Sequence, residues 1–434
     1  MKISRKAVPP ILVLIALASA VLLGIVMNWR KGVREPPPPA IEIRERIGTL
    51  APAPDWSKLD RYQGTMSREA FDRALTEVFS AGDAWKGVVR LGDDFAAVDT
   101  QNAEPYQIVF GEAGEKPKRY WRSVDQLPAC SDRENKPLAG VRIAIDPGHI
   151  GGDWAKIEER WYSLEEGVEV MEGTMTVYTA RILTRLLQEM GAKVQMTRET
   201  TEPVSPLRPD DFKGFAAEYL RSIGVNPETP GNGIHQTVAW QSEKMFYRTQ
   251  EIRTRSWLVN EVFQPDLLVC LHFNAEAWGD PSRPQFVANN HLHLLVNGTY
   301  SFSEMRLHDQ CFEMLRRILQ RTHDEELAVS TAVAASMAEA TGLPPYRYST
   351  PNAAQVGDSP YVSARNLLAT RLYECPVVFL EPYVMNNSDV YERVKTGDYK
   401  GERVVAGKKR LSIYREYAKG VAEGLRAYYS EERR

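Results

Sequence analysis

The sequence predicts an α/β fold with a mostly parallel sheet covered on both faces. Apolar runs at 141–145, 193–197, 267–272, 291–297 and 377–380 read as strands. Several are near-continuously apolar, the pattern of strands buried on both faces. Helical periodicity fills much of the chain between them, and strand–helix alternation builds parallel sheets.

Residues 11–29 are uncharged and follow Lys2, Arg5 and Lys6. Nineteen residues in a helix span ~28 Å, close to a bilayer core. We read 1–34 as an uncleaved transmembrane anchor, although Ala18-Ser19-Ala20 also suits a signal peptidase. One anchor leaves the remaining chain on one side, expected to be outside the cytoplasm. Glu35-Pro-Pro-Pro-Pro39 opens a linker over 35–55, where polyproline acts as a semi-rigid spacer.

A small α+β domain is expected over 56–125. Ser67 can cap a helix presenting Phe71, Leu75, Val78 and Phe79, and three short strands follow at 85–90, 95–100 and 106–110. It contains no histidine and no chemical cluster, so it reads as a packing or spacer module.

The main domain is placed at 138–430. Its first helix covers 174–190, with Val177, Ala180, Leu183, Leu187 and Met190 at helical spacing and Gly191 as the stop. Further helices are read at 251–263, at 303–321 with Ser303 as cap, at 326–341 and at 411–429. Residues 199–247 are an insertion with a helix from Asp210 presenting Phe212, Phe215, Ala216, Tyr219, Leu220 and Ile223. Its place beside the strand ends makes it a candidate lid or inhibitory segment. Deleting 205–233 is then expected to raise basal activity.

Charged residues make up 26% of the chain and the net charge is only −3, which excludes a general nucleic-acid binder. Four scattered cysteines with no CxxC exclude a disulfide scaffold and a cysteine zinc site.

Sites in such folds lie beyond the carboxyl ends of strands. His149, His272 and Glu381 each stand at or just after such an end. Catalytic zinc commonly takes three His or carboxylate ligands and leaves a position open. His149 and His272 supply two. The acidic loop 158–172 supplies a third: Glu172 beside a helix N-terminus, with Glu169 in reserve. Glu381 then remains as a general base. Asp146 reads as a residue supporting the turn. His291 and His293, two apart on a strand, are a rival ligand pair.

Asp146-Pro-Gly-His149, Glu172 before a helix ending in Gly191-Ala-Lys-Val194, Thr197-Arg198, Asp266-Leu-Leu-Val-Cys-Leu-His272-Phe-Asn274-Ala275 and Leu380-Glu381-Pro-Tyr-Val-Met-Asn386 follow one another in this order. Together they resemble the zinc-dependent N-acetylmuramoyl-L-alanine amidases over about 138–429. The resemblance implies a three-layer αβα sandwich with a six-stranded sheet. It implies hydrolysis of the amide between the lactyl group of N-acetylmuramic acid and L-alanine. By position it makes His149, Glu172 and His272 zinc ligands and Glu381 the catalytic glutamate. Arg253, with Arg255 and Asn260, falls on the helix before the second histidine strand. Arg253, Asn274, Asn386 and His293 are candidates to line or support the site.

Four departures stand out. Ile150 intervenes before Gly151-Gly152, where the family usually has Gly directly after the histidine. The His149–Glu172 loop is long. Gly173 follows the ligand Glu where Lys is frequent. Cys270-Leu271 and Phe273 replace the small residues around the second histidine.

The expected partners are peptidoglycan, the membrane through the N-terminal helix, and a protein activator. The expected location is the cytoplasmic membrane with the catalytic domain facing the periplasm and cell wall. Two rival functions are a silent wall-binding protein of this fold and a zinc hydrolase for another amide.

Overall fold

The computed structural model describes residues 46–100, 104–112, 117–229, 231, 233–279 and 284–433. The predicted anchor, and most of the linker, lie outside the described residues. No helix among the described residues is long and apolar enough to cross a membrane.

The N-terminal part holds helix α1 (Arg68–Arg73), which continues as a wider helical turn to Phe79. Ser67 caps it, its side chain accepting from Ala70 N at 3.2 Å. Strands β1 (Val89–Leu91), β2 (Phe95–Val98) and β3 (Tyr106–Val109) form an antiparallel sheet.

The main sheet is built from β4 (Arg142–Pro147), β7 (Lys193–Met196), β8 (Leu267–Leu271), β9 (Leu292–Val296), β10 (Ala353–Gln355), β11 (Val362–Arg365) and β12 (Val377–Pro382). The numbers omitted from that set, β5 (Trp161–Glu165) and β6 (Val168–Met171), form a separate hairpin. The main order is β10-β11-β9-β12-β8-β4-β7. The sheet therefore has seven strands, not six. The segments missed were β10 and β11, three and four residues long and containing Gln355, Ser363 and Arg365, so no apolar run announced them. Four of the six neighbouring pairs are parallel; β9 runs against β12, and β10 against β11.

The helices of this part are α2 (Glu172–Glu189), α3 (Lys213–Ser222), α4 (Val238–Met245), α5 (Glu251–Trp257), α6 (His308–Gln320), α7 (Thr322–Thr341), α8 (Ser388–Thr396) and α9 (Ile413–Glu432). Strand alternation divides the core. Ile143, Ile145, Leu267, Val269, Leu294 and Leu380 face Leu183, Val333 and Val421 of α2, α7 and α9. Ala144, Leu268, Cys270, Leu295 and Phe379 face Trp121, Val259, Tyr373 and Cys375. Burying each large apolar side chain contributes roughly 1.5–3 kcal/mol. Both faces are dry, so the backbone at the strand ends is held firmly.

The predicted helix at 303–321 is broken. Ser301, not Ser303, caps a short turn Phe302–Met305, because Ser301 and Glu304 satisfy one another's backbone N–H groups. A new helix, α6, then starts at His308. Its buried face (Cys311, Met314, Leu315, Ile318) joins Leu59, Phe71, Phe79 and Val98 in one apolar cluster.

Candidate metal centre

The site is assembled at the ends of β4, β8 and β12. Asp146, buried in β4, accepts from Thr197 Oγ1 at 2.6 Å, from Tyr373 Oη at 2.6 Å and from Arg255 Nη1 at 3.2 Å. The next three carbonyls are clamped. Arg198 donates to Pro147 O and Gly148 O, and Arg255 to Pro147 O and His149 O. The clamp holds His149 at φ +57°, a left-handed conformation that costs a non-glycine residue about 1–3 kcal/mol. Gly148 permits close packing, since a Cβ there would lie 2.3 Å from the His272 ring.

Glu172 is the first residue of α2, where the helix dipole favours its charge. Its Oε1 accepts from Phe273 N at 3.0 Å and lies 3.2 Å from His272 Nδ1. Its Oε2 lies 3.2 Å from His149 Nε2. Burial pushes the Glu172 pKa up, but His149 and then His272 outweigh it and hold the carboxyl at about 2. The group stays ionised.

One ligand atom from each of His149, Glu172 and His272 can be chosen so that all lie within 4.8 Å of one another. Zinc bonds of ~2.0–2.2 Å at tetrahedral angles leave ligand atoms about 3.3–3.6 Å apart. Two imidazoles flank one carboxylate, each 3.2 Å from a different oxygen, a donor set suited to a divalent cation. Glu169, the reserve ligand, is not part of this group and pairs with Lys156 at 3.4 Å.

Glu381 follows Leu380, whose carbonyl accepts from His272 N at 3.0 Å. In register it faces His293 across β9 and β12. Burial, helped by the Glu172 charge and opposed by His272, raises the Glu381 pKa to about 7. Two carboxyls in one site are thus driven apart, one fixed as an anion and one able to exchange a proton near neutrality.

Residues 143–408 match the family model described as N-acetylmuramoyl-L-alanine amidase. The chain belongs to this family. Over 160 residues it is 34% identical to the probable cell wall amidase LytH of Staphylococcus aureus, covering 37% of this chain and 48% of that one. The chain spans about half the length of the curated relatives it matches. Among solved structures it is similar to the amidase Ami1 of Mycobacterium abscessus (TM-score 0.35, 16% identity, 67% of this chain and 99% of that one). It is also similar to the catalytic domain of the amidase CwlV from Bacillus (Paenibacillus) polymyxa var. colistinus (TM-score 0.34, 14% identity, 66% and 97%).

Three residues around His149 escaped the sequence reading as site residues. Glu158 Oε1 stands 3.6 Å from His149 Nδ1, while its Oε2 accepts from Ile150 N at 2.7 Å. A ligand histidine needs a partner for its second nitrogen, and the acidic loop downstream was where to look. Arg198 and Arg255 are the other two; both fell within the stretches that carry the resemblance, but nothing local showed that they clamp the carbonyls of the His149 turn.

Other candidates lie elsewhere or play supporting parts. Arg253 is half-buried near Glu313 and Asp309 of α6, on the helix face away from the Asp146 turn. Asn274 Oδ1 accepts from Ala275 N. Asn386 bonds both N and O of Glu276. These two fix the loop after β8. His293 is buried, lies 3.0 Å from Tyr348 Oη through Nε2, and is held neutral by burial, with a pKa of about 3. His291 lies 3.3 Å from Glu276 instead.

The insertion packs on the loop after His149. Phe212, Phe215, Ala216 and Leu220 of the α3 region cluster with Ile150, Met245 and Phe246. Ile223, expected on that apolar face, is 54% exposed, because Gly224 turns the chain away. Trp154 Nε1 donates to Glu202, and Trp240 Nε1 to Glu159. The β5–β6 hairpin between Glu158 and Glu172 is sealed at its base, where Glu172 N donates to Arg160 O at 3.2 Å.

Proposed function

We propose that the chain is a zinc-dependent hydrolase of the amide between the lactyl group of N-acetylmuramic acid and L-alanine in peptidoglycan. The observation that carries this reading is the placement of His149, Glu172 and His272 within 4.8 Å, with Glu381 on the neighbouring strand. His149, Glu172 and His272 would hold the metal. Zinc in such a site supplies a Lewis acid for the scissile carbonyl and makes water more acidic.

The chain's own groups do the rest. Glu381 takes a proton from the attacking water on a carboxylate oxygen and returns it to the leaving nitrogen. Its partial burial keeps the carboxyl near its switching point. Glu158 orients the His149 ring through Nδ1, and Arg198 and Arg255 hold the turn beneath it.

The reading extends to an anchor at 1–34, a proline spacer, and a catalytic part facing the periplasm and cell wall. The test is incubation of purified sacculi with the full chain. Free stem peptides should appear, and Glu381→Ala should lose this release while still binding stoichiometric zinc. Intact sacculi with cleavage of another amide would favour a different substrate. No zinc and no cleavage would favour a silent wall protein. A protein activator would show as release gained on adding envelope extract.

A further inference from the structure

The floor beside Glu381 carries a cation that makes no ion pair among the described residues, Glu381 being the carboxylate whose charge it meets from farther off. Arg365 ends β11, and strand alternation puts it on the sheet face opposite Val362 and Ala364, the face that carries Leu295 and His293. Its guanidinium carbon lies 5.5 Å from the centre of the Tyr348 ring. Tyr348 Oη is 3.0 Å from His293 Nε2, and His293 faces Glu381 in register. Arg365 therefore reaches the cleft from the Glu381 side.

Most other buried guanidiniums among the described residues are matched, although Arg253, near Glu313 and Asp309, pairs with neither. Arg255, Arg317, Arg371 and Arg393 each meet a carboxylate. Arg198 is satisfied by carbonyls of Pro147, Gly148, Gly173 and Thr200. Arg160, near the other flank, stands 3.9 Å from Glu172. Among the described residues Arg365 has no carboxylate at ion-pair distance, although it is partly withdrawn from water and feels the Glu381 charge from farther off. A guanidinium in that state favours an incoming carboxylate, which it can grip with two parallel N–H bonds.

Glu381 protonates the leaving nitrogen, so the peptide half of the substrate, not the sugar, lies on this side. We propose that Arg365 reads a free α-carboxylate on the residue after alanine in the leaving peptide, and so selects the acid over its carboxamide. This rests on the amidase reading above.

The test uses two soluble muropeptides that differ only there, one with D-glutamate and one with D-isoglutamine after the alanine. The full, zinc-loaded chain should cleave the acid with kcat/KM about 10- to 100-fold higher, the range of one charged hydrogen bond. Arg365→Gln should bring the acid and carboxamide rates together, both read on the alkaline plateau where Glu381 is ionised, and leave zinc content and melting temperature unchanged. Arg365→Lys should keep part of the preference, and it serves as the probe if the glutamine variant does not fold. Equal cleavage of both forms by the parent, or an undiminished preference in Arg365→Gln, overturns the proposal and leaves the amidase reading standing. Cleavage of neither form by zinc-loaded parent chain removes the amidase reading and this proposal with it.

Discussion

Gly173 and Gly151 touch backbone to backbone: a Cβ added at Gly173 would lie 2.4 Å from Gly151 N, and one at Gly151 would lie 2.5 Å from Thr174 N. Two departures from the family pattern, the inserted Ile150 and the glycine after Glu172, are therefore one structural adjustment. The loop that carries Ile150 packs against the start of α2, and only glycine leaves room. Gly173→Ala should destabilise the chain by about 1–3 kcal/mol, the usual range for overpacking, and weaken zinc binding. Melting curves with and without zinc check this. An unchanged apo and holo melting temperature would show that the two segments separate freely.

Ile150 is fully buried in the cluster that holds the insertion. Ile150→Ala should cost about 2–5 kcal/mol by leaving a cavity. Hydrogen exchange across 213–222 should accelerate more than exchange in β8. Activity below the melting point then separates two roles for the insertion: a rise marks an inhibitory segment, a fall with zinc loss marks a buttress. The point variant is cleaner than deletion of 205–233, which would strip Ile150, Met245 and Phe246 of cover.

Glu158→Gln keeps an oxygen for Ile150 N but removes the charge facing His149 Nδ1. Zinc affinity should fall about 10- to 100-fold, as when other supporting partners of ligand histidines are changed. Competition with a chromogenic chelator measures it. Unchanged affinity would reduce Glu158 to a loop-holding residue.

The pH profile has a sign. Glu381 acts as a base only when ionised, and burial raises its pKa to about 7 in the metal-free chain. A neighbouring cation adds positive charge and draws that value down. Activity should therefore be low in acid and rise to a plateau with a midpoint at or below about 7, with zinc content measured at each pH. Glu381→Gln should lower kcat by roughly 100-fold or more and abolish this limb. A limb that survives in the glutamine variant belongs to another group, His272 first, since its pKa is raised: burial opposes protonation, but Glu172 and Glu381 outweigh it.

Much of the site was legible because its side chains sit at the ends of apolar strands. Leu267–Leu271 and Val377–Pro382 announce themselves, and His272 and Glu381 inherit their positions. The group His149, Glu172 and His272 was readable from residue type and order. Glu158 and Arg255 were not, because their roles depend on distances across the fold that no local pattern carries. Arg253 and Arg255 look equivalent in sequence, yet two residues on a helix differ by about 200° in direction. One faces α6 and the other the Asp146 turn. Strand Val362–Arg365 escaped because half of it is polar, its place in the sheet being set by pairing with β9 rather than by composition.

The sealed base of the β5–β6 hairpin has an evolutionary reading. With Arg160 and Glu172 joined by a backbone hydrogen bond, the chain between them is an excursion that begins and ends at the same place. Doubling the length of such a loop costs only about 0.6 kcal/mol in closure entropy. Val170 in the core and Tyr162 bonded to Met385 O hold the stem, so natural variation can lengthen or shorten the exposed tip around 164–167 while Glu172 on one side and Glu158 on the other keep their coordinates. The hairpin tip is thus the stretch where members of one lineage can acquire different exposed surfaces without renegotiating the chemistry beneath.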